Sequence, residues 1–136
     1  MKILFLGPKK DPQKKIIEFL TIDGNSVSKY ENRLILADIS DCAYNLLISF
    51  GYCYMVREDV LDYFKGKAIN LHISYLPWNK GADPNLWSIL ENTPKGVTIH
   101  QMDYKLDAGQ ILYQKKYSLM RMIHSSLRMK NYKLSW

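Results

Sequence analysis

The sequence predicts an α/β domain whose open, mostly parallel sheet carries helices on both faces. Three observations support this class. Apolar runs alternate with segments of helical spacing through the first seventy residues, which is typical of successive strand–helix units. Later apolar runs are joined by short turns, which indicates an antiparallel addition to the sheet. The length of 136 residues fits one domain.

The first forty residues predict two strands and one helix. Lys2–Gly7 is a compact apolar strand that ends in glycine. A helix is expected over Pro12–Leu20, because Asp11 can cap it and proline suits the first helical position. Ser26–Tyr30 is a weaker strand, and Leu34–Asp41 fits either a short helix or a loop. The helix is expected to bury the stripe formed by Ile16, Ile17 and Leu20.

The rest of the chain predicts four more strands and two helices. Tyr44–Ser49 and Ala68–Leu71 are strongly apolar strands. Between them, Glu58–Phe64 is expected to form a helix that ends at Gly66, since glycine commonly follows the last helical turn. The remaining elements are a helix at Pro84–Leu90 capped by Asp83, and strands at Val97–Met102 and Gln110–Lys115.

The composition is that of an ordinary globular protein, with 47% hydrophobic and 24% charged residues. No apolar run is long enough to span a bilayer. The apolar start ends in Gly-Pro rather than in a cleavage site, so it is interpreted as a strand and not as a signal peptide. Cys42 and Cys53 lack CxxC spacing and are expected to be free thiols in a reducing cytoplasm.

The net charge of +6 arises in the C-terminal segment. All 13 acidic residues lie within residues 1–107, where 13 basic residues balance them. A basic tail can bind phosphates nonspecifically or form a solvated helix face, and we favour the second. The body of the domain is therefore not expected to bind nucleic acid. The excess basic residues are Lys115, Lys116, Arg121, Arg128, Lys130 and Lys133.

Polar residues with matched chemistry lie near the ends of the later strands. Asn70 and His72 are two apart, so on a strand they point to one face. Asp107 follows in a tight Leu-Asp-Ala-Gly turn. An amide, an imidazole and a carboxylate suit proton transfer with stabilisation of an oxyanion. In open α/β sheets ligands bind beyond the carboxyl ends of strands, whereas the loop after the first strand is neither GxGxxG nor a P-loop.

Each of these residues also has a structural explanation. Asn70 and His72 can be buried groups that bond neighbouring loops, and Asp107 can be a turn residue that bonds its own backbone. His100 can be buried against a backbone carbonyl. A metal site formed by His72, His100 and Asp107 has no recognised ligand spacing and is not expected. No role is assigned to His124.

Three motifs in register resemble one family. Residues 70–84 read NLHISYLPWNKGADP, residues 96–103 read GVTIHQMD, and residues 106–111 read LDAGQI. They resemble the NxHxSxLPxxxGxxP, GVTxHxxD and LDxGxI segments of the folate-dependent formyltransferases. The order and spacing of the motifs match over residues 44–115. The residues within them resemble those of the sugar N-formyltransferases most.

The resemblance implies a Rossmann-like formyltransferase fold with an abbreviated C-terminal part. Residues 1–116 would form the catalytic domain, and residues 117–136 an atypical basic tail. The implied activity is cytoplasmic transfer of a formyl group from N10-formyltetrahydrofolate to the amine of an amino sugar, with the sugar linked to a nucleotide. The implied partners are these small molecules, with no specific nucleic acid, no membrane and no metal. A homodimer is one option for the oligomeric state.

The resemblance also implies roles for individual residues. Asn70 would donate to the oxyanion, His72 would move the proton, and Asp107 would orient His72 or a water, with burial raising the pKa of Asp107 itself. The folate would contact Tyr54, Met55, Val56, Leu61, His100, Met102 and Asp103. The sugar nucleotide would contact Pro77, Trp78, Asn79, Lys80 and Gly81.

Three other functions are kept as hypotheses. The chain can be a truncated or inactive formyltransferase-like protein that retains folate binding. It can act like a methionyl-tRNA formyltransferase, although those proteins carry a separate domain for tRNA. From a different class, it can be a nucleic-acid-binding protein whose basic tail makes a salt-sensitive contact with phosphates.

Overall fold

The structure, a computed structural model, describes residues 1–10 and 12–118. The predicted cap at Asp11 lies outside the described residues. So does most of the predicted tail, including its helical spacing and His124. None of the helices in the described part of the chain has the length and apolar character needed to cross a bilayer.

Within the described residues six strands form one sheet, and the predicted α/β class is confirmed. The strand order is β2-β1-β3-β4-β5-β6. Strands β1 to β4 are parallel, β5 is antiparallel to β4, and β6 is antiparallel to β5. The elements are β1 Lys2–Leu6, α1 Gln13–Ile22, β2 Ser26–Tyr30, β3 Leu46–Ser49, α2 Glu58–Phe64, β4 Ala68–His72, α3 Pro84–Leu90, β5 Gly96–Gln101 and β6 Ile111–Lys116.

Helices cover both faces of the sheet because alternate strand residues point to opposite sides. Ile17 of α1 is buried, and Ile16 and Leu20 pack against the same cluster, as the predicted stripe requires. The cluster on the α2 face includes Leu4, Leu6, Leu47, Val60 and Phe64. The cluster on the α1 face includes Ile3, Phe5, Ile17 and Ile48.

One local ambiguity is resolved and two local predictions are corrected. The ambiguous segment Leu34–Asp41 contains one short 3-10 turn, Leu36–Asp38. Strand β3 begins at Leu46 rather than at Tyr44, whose backbone N–H donates instead to the Tyr63 hydroxyl. Asp83 occupies the N-cap position of α3, but its φ is +50° and its side chain makes no capping hydrogen bond.

The turn that carries Asp107 packs tightly against β5 at Gly109. A Cβ atom at Gly109 would lie 1.9 Å from the Gln101 carbonyl oxygen, which is part of the backbone and cannot move without disturbing the strand. The residue at this position of the turn therefore has to be glycine.

We expect Gly109→Ala to lower the free energy of unfolding by about 1–3 kcal/mol, because the added methyl group overpacks a backbone contact. Denaturant unfolding monitored by circular dichroism measures the change. Gly24→Asn is a suitable control, since Gly24 has a φ of +84°, which asparagine tolerates, and open space around it. Equal stability of Gly109→Ala and wild type would contradict the close approach.

Candidate active site

A cleft of about 600 Å³ opens on the side of the sheet that faces α2. Ile69 and Leu71 pack against the α1-side cluster, so the intervening Asn70 and His72 point to the opposite face. Strand pairing places Asn70 directly opposite His100 on β5. The polar floor of the cleft is thus built across two antiparallel strands rather than only from loops beyond the strand ends.

Asp107 joins this floor to two loops. Its Oδ2 accepts a hydrogen bond from the Gly81 backbone N–H at 2.8 Å, and its Oδ1 accepts one from Asn70 Nδ2 at 3.3 Å. The residue is 7% exposed and has a left-handed φ of +47°. Asp107 therefore makes contacts well beyond its own turn, which goes against the simple explanation of a self-bonding turn residue.

His100 is almost fully buried beside Asp107. Its Nδ1 donates to the Gln101 carbonyl oxygen at 2.7 Å. Because a carbonyl only accepts, the neutral ring carries its proton on Nδ1, and Nε2 is free to accept from Asn70 Nδ2 at 3.3 Å. His100 Nε2 also lies 3.4 Å from Asp107 Oδ1.

His72 approaches the same carboxylate from the other side. Its Nε2 donates to the Asn79 carbonyl oxygen at 2.9 Å, and its Nδ1 lies 3.7 Å from Asp107 Oδ2. Both histidines are thus fixed by a backbone carbonyl and present their second nitrogen towards Asp107. In its neutral form His72 directs an unprotonated Nδ1 towards the floor of the cleft.

The pKa of Asp107 is lowered, which corrects the expectation that burial would raise it. Burial does act to raise the pKa, but it is outweighed by the hydrogen bond that His100 Nε2 donates when its ring is protonated, by the Gly81 N–H donor and by the positive charge of the two histidines when they are protonated. Asp107 is therefore a carboxylate at neutral pH. It can orient an imidazole and stabilise an imidazolium, but it is not a proton donor there.

Asn70 has both of its amide hydrogens engaged. Nδ2 donates to His100 and Asp107, each at 3.3 Å. The opposite amide orientation would place its oxygen against the carboxylate, so this orientation is the one that the chemistry requires. Both bonds are long, and one N–H can therefore turn to a ligand in the cleft at small cost.

The predicted folate contacts divide into two groups. The first group lines the cleft and consists of Tyr54, Met55, Val56, His100, Met102 and Asp103. Leu61 does not line the cleft. It is 7% exposed within the core cluster of α2 and borders a smaller hollow beside Met102.

Of the predicted sugar-nucleotide contacts, only Gly81 lines the cleft, and its N–H is used by Asp107. Trp78 stacks on Tyr75 with ring centroids 6.3 Å apart, and Ser74 Oγ donates to the Trp78 carbonyl. Asn79 holds His72 through its carbonyl oxygen. Pro77 and Lys80 are exposed beside them. Phe50, Ala82 and Lys105 also line the cleft, and each lies on a loop that follows the end of a strand.

The described part of the chain contains no group of three or more His, Cys, Asp or Glu side chains that could hold a metal ion.

Residues 5–131 match the family model described as formyl transferase. The chain belongs to the formyl transferase family. The matched region covers all three sequence motifs and extends past Lys116.

Solved structures of family members share the fold. The formyltransferase PseJ from Anoxybacillus kamchatkensis, crystallised with UDP-4,6-dideoxy-4-formamido-L-AltNAc and tetrahydrofolate, is 43% identical with a TM-score of 0.82, covering 98% of this chain and 72% of that chain. Phosphoribosylglycinamide formyltransferase from Bacillus halodurans is 18% identical with a TM-score of 0.67. The match covers 99% of this chain and 91% of that chain. At that lower identity the likeness concerns the fold alone.

Curated sequence relatives include methionyl-tRNA formyltransferases. That of Natranaerobius thermophilus is 34% identical over 102 residues, which are 74% of this chain and 33% of the relative. That of Borrelia garinii is 31% identical over 106 residues, which are 77% of this chain and 31% of the relative. The chain thus spans about a third of the length of these curated relatives.

Proposed function

We propose that this chain transfers a formyl group from N10-formyltetrahydrofolate to the amine of a nucleotide-linked amino sugar. The observation that carries the proposal is the convergence of Asn70, His72 and Asp107 on the floor of one cleft, in a chain 43% identical to a formyltransferase crystallised with a UDP-linked formamido sugar and tetrahydrofolate.

The cleft suits a folate in size and lining. About 600 Å³ lies within the range of sites for drug-sized ligands. Tyr54, Met55 and Val56 give the cleft an apolar lining against which a ring system could pack, and the polar residues Asn70, His72 and Asp107 line the same cleft, where a formyl group would sit. The chain's own residues therefore provide separate surfaces for binding and for reaction.

The reaction forms a bond between the amine nitrogen and the formyl carbon, breaks the bond from that carbon to the folate nitrogen, and moves one proton. His72 would take the proton from the attacking amine at Nδ1 and return it to the departing nitrogen. The Asp107 carboxylate stabilises His72 while it is charged. Asn70 would donate to the formyl oxygen as negative charge develops there.

A formyl-transfer assay tests this function. The protein is incubated with N10-formyltetrahydrofolate and a panel of nucleotide-linked amino sugars, and products are identified by mass spectrometry. Initiator methionyl-tRNA is included as a further acceptor, because the curated relatives quoted above are named methionyl-tRNA formyltransferases. Turnover of an amino sugar supports the proposal, and turnover of the tRNA alone would replace it. No turnover by the folded protein would favour an inactive relative that binds folate.

Folate binding itself predicts a thermal shift. At a concentration 100 times its Kd, tetrahydrofolate should stabilise the protein by about 2.7 kcal/mol and so raise its Tm by several degrees. Met55→Asp should abolish most of the shift, because Met55 lines the wall of the cleft. Ile89→Asp is the matched control, since Ile89 is exposed on α3 and does not line the cleft. An equal shift in both variants would contradict this placement of the folate.

The proposal also covers where and with what the protein acts. Cys42 and Cys53 are free, in keeping with activity in the cytoplasm. The partners are the two small-molecule substrates, with no specific nucleic acid and no metal in the reaction, and a homodimer is one option for the oligomeric state. Gel filtration and binding of labelled nucleic acid over a range of salt concentrations test these statements.

A further inference from the structure

We propose that Asn79 is a positioning residue for His72: its carbonyl oxygen selects the tautomer of the imidazole, and its side chain holds that carbonyl in place. The inference rests on the proposed function for its catalytic consequence. It departs from the substrate-binding role that the sequence motif suggested for Asn79, because this residue does not line the cleft.

The carbonyl contact decides which nitrogen of His72 carries the proton. The distance from His72 Nε2 to the Asn79 oxygen is 2.9 Å, and a carbonyl can only accept, so the neutral ring is protonated at Nε2. The lone pair of the neutral ring is then on Nδ1, which faces Asp107 and the cleft. If the carbonyl moved, the ring could take the other tautomer, and the nitrogen facing the cleft could no longer accept a proton.

The backbone at Asn79 is not held by a regular element. Its φ is +57°, in the left-handed region that non-glycine residues visit rarely, although asparagine does so more readily than most. Two side-chain hydrogen bonds fix it there. Asn79 Nδ2 donates to Glu91 Oε2 at 3.1 Å, and Thr93 Oγ1 donates to Asn79 Oδ1 at 2.6 Å.

These bonds connect His72 to the segment between α3 and β5. Lys95 ties the same segment together, with Nζ donating to the carbonyl oxygens of Ser88 and Thr93 at 3.0 and 3.1 Å. Asn79 is thus the link through which a loop outside the cleft sets the orientation of the proposed proton carrier. A residue that acts only through His72 should affect the chemical step more than substrate binding.

Two variants separate the side chain from the backbone. Asn79→Gly keeps the left-handed conformation accessible but removes both side-chain bonds. Thr93→Val removes one hydroxyl with little change of shape and leaves Asn79 itself intact. Asn92→Gly is the matched control. Asn92 is an exposed asparagine in the same segment with a φ of +51°, and its backbone N–H contacts Ile89 rather than the site.

The tautomer is measured by ¹⁵N–¹H correlation of the histidine rings at a pH of about 8.5, with His72 assigned from a His72→Gln sample. Wild type and Asn92→Gly should show His72 protonated at Nε2. Asn79→Gly, and to a smaller extent Thr93→Val, should show a mixture of the two tautomers. A wild-type ring protonated at Nδ1, or an unchanged tautomer in Asn79→Gly, would overturn the inference.

Kinetics provide the second readout. In Asn79→Gly, kcat should fall by roughly 10- to 100-fold while KM for both substrates stays within about a factor of three. A rise in KM with unchanged kcat would restore the substrate-binding role and overturn the proposal. Because the ring spectra need no substrate, a protein that transfers no formyl group refutes the proposed function without deciding the role of Asn79.

Discussion

Asp107→Asn is expected to lower kcat/KM for formyl transfer by about 10²- to 10⁴-fold, the range associated with a lost contribution to proton transfer. The substitution preserves shape but removes the charge that stabilises protonated His72. It also breaks the hydrogen bonding, because Gly81 and Asn70 donate to the two oxygens of Asp107. An amide has one accepting oxygen, so in either orientation its NH₂ group faces a donor.

The same variant should show a defined pH dependence of stability. The pKa of Asp107 is lowered in the folded state, so its carboxylate contributes stability above the ordinary pKa of about 3.9, and that contribution is lost as the pH falls through the folded-state value. The gap in Tm between wild type and Asp107→Asn should therefore be full near neutral pH and shrink below a pH of about 4.

Calorimetry over this pH range measures the gap. Asp41→Asn is the control, because Asp41 is exposed and lies outside the cleft. The difference in Tm between Asp41→Asn and wild type should be small over the whole pH range. A gap for Asp107→Asn that widened on acidification would mean that the folded protein raises this pKa rather than lowering it. Activity within about twofold of wild type would remove Asp107 from the proposed mechanism.

The local sequence pattern was sufficient to predict most of the helices and strands. The bounds of β2, α2 and α3 agree with those expected from the sequence, since a proline, a glycine or a turn marks an end of each segment. The common orientation of Asn70 and His72 followed from the period of a strand. Chain order and alternation are local properties, and a single sequence contains them.

The contacts of the site depended on information that is not local. Asn70 meets His100 because of the register between β4 and β5, and no pattern in either strand fixes that register. Leu61 looked like a ligand contact through the family resemblance, but its place on the inner side of α2 buries it in the core. The sign of the pKa change at Asp107 likewise depended on donors from two other segments, which outweigh its burial.

Asn70→Ala is expected to reduce kcat by about 10²- to 10³-fold, the loss typical of removing one donor to a developing oxyanion. The structure adds a condition to this expectation. Both N–H groups of Asn70 are engaged at 3.3 Å, so one of them must leave His100 or Asp107 before it can reach the formyl oxygen. The cost of that exchange is small only because both bonds are long and the Asp107 carboxylate keeps its bond from Gly81.

This exchange can be tested separately from the loss of the donor. If Asn70 turns towards the formyl oxygen only as negative charge develops, Asn70→Ala should lower kcat and leave the Kd for tetrahydrofolate, which lacks the formyl group, within about a factor of two. Asn92→Ala, at an exposed position outside the cleft, should leave kcat and Kd near wild type. Equal losses in folate affinity and in kcat/KM would instead mean that Asn70 binds the ground state, and the oxyanion would then depend on protonated His72 as its donor.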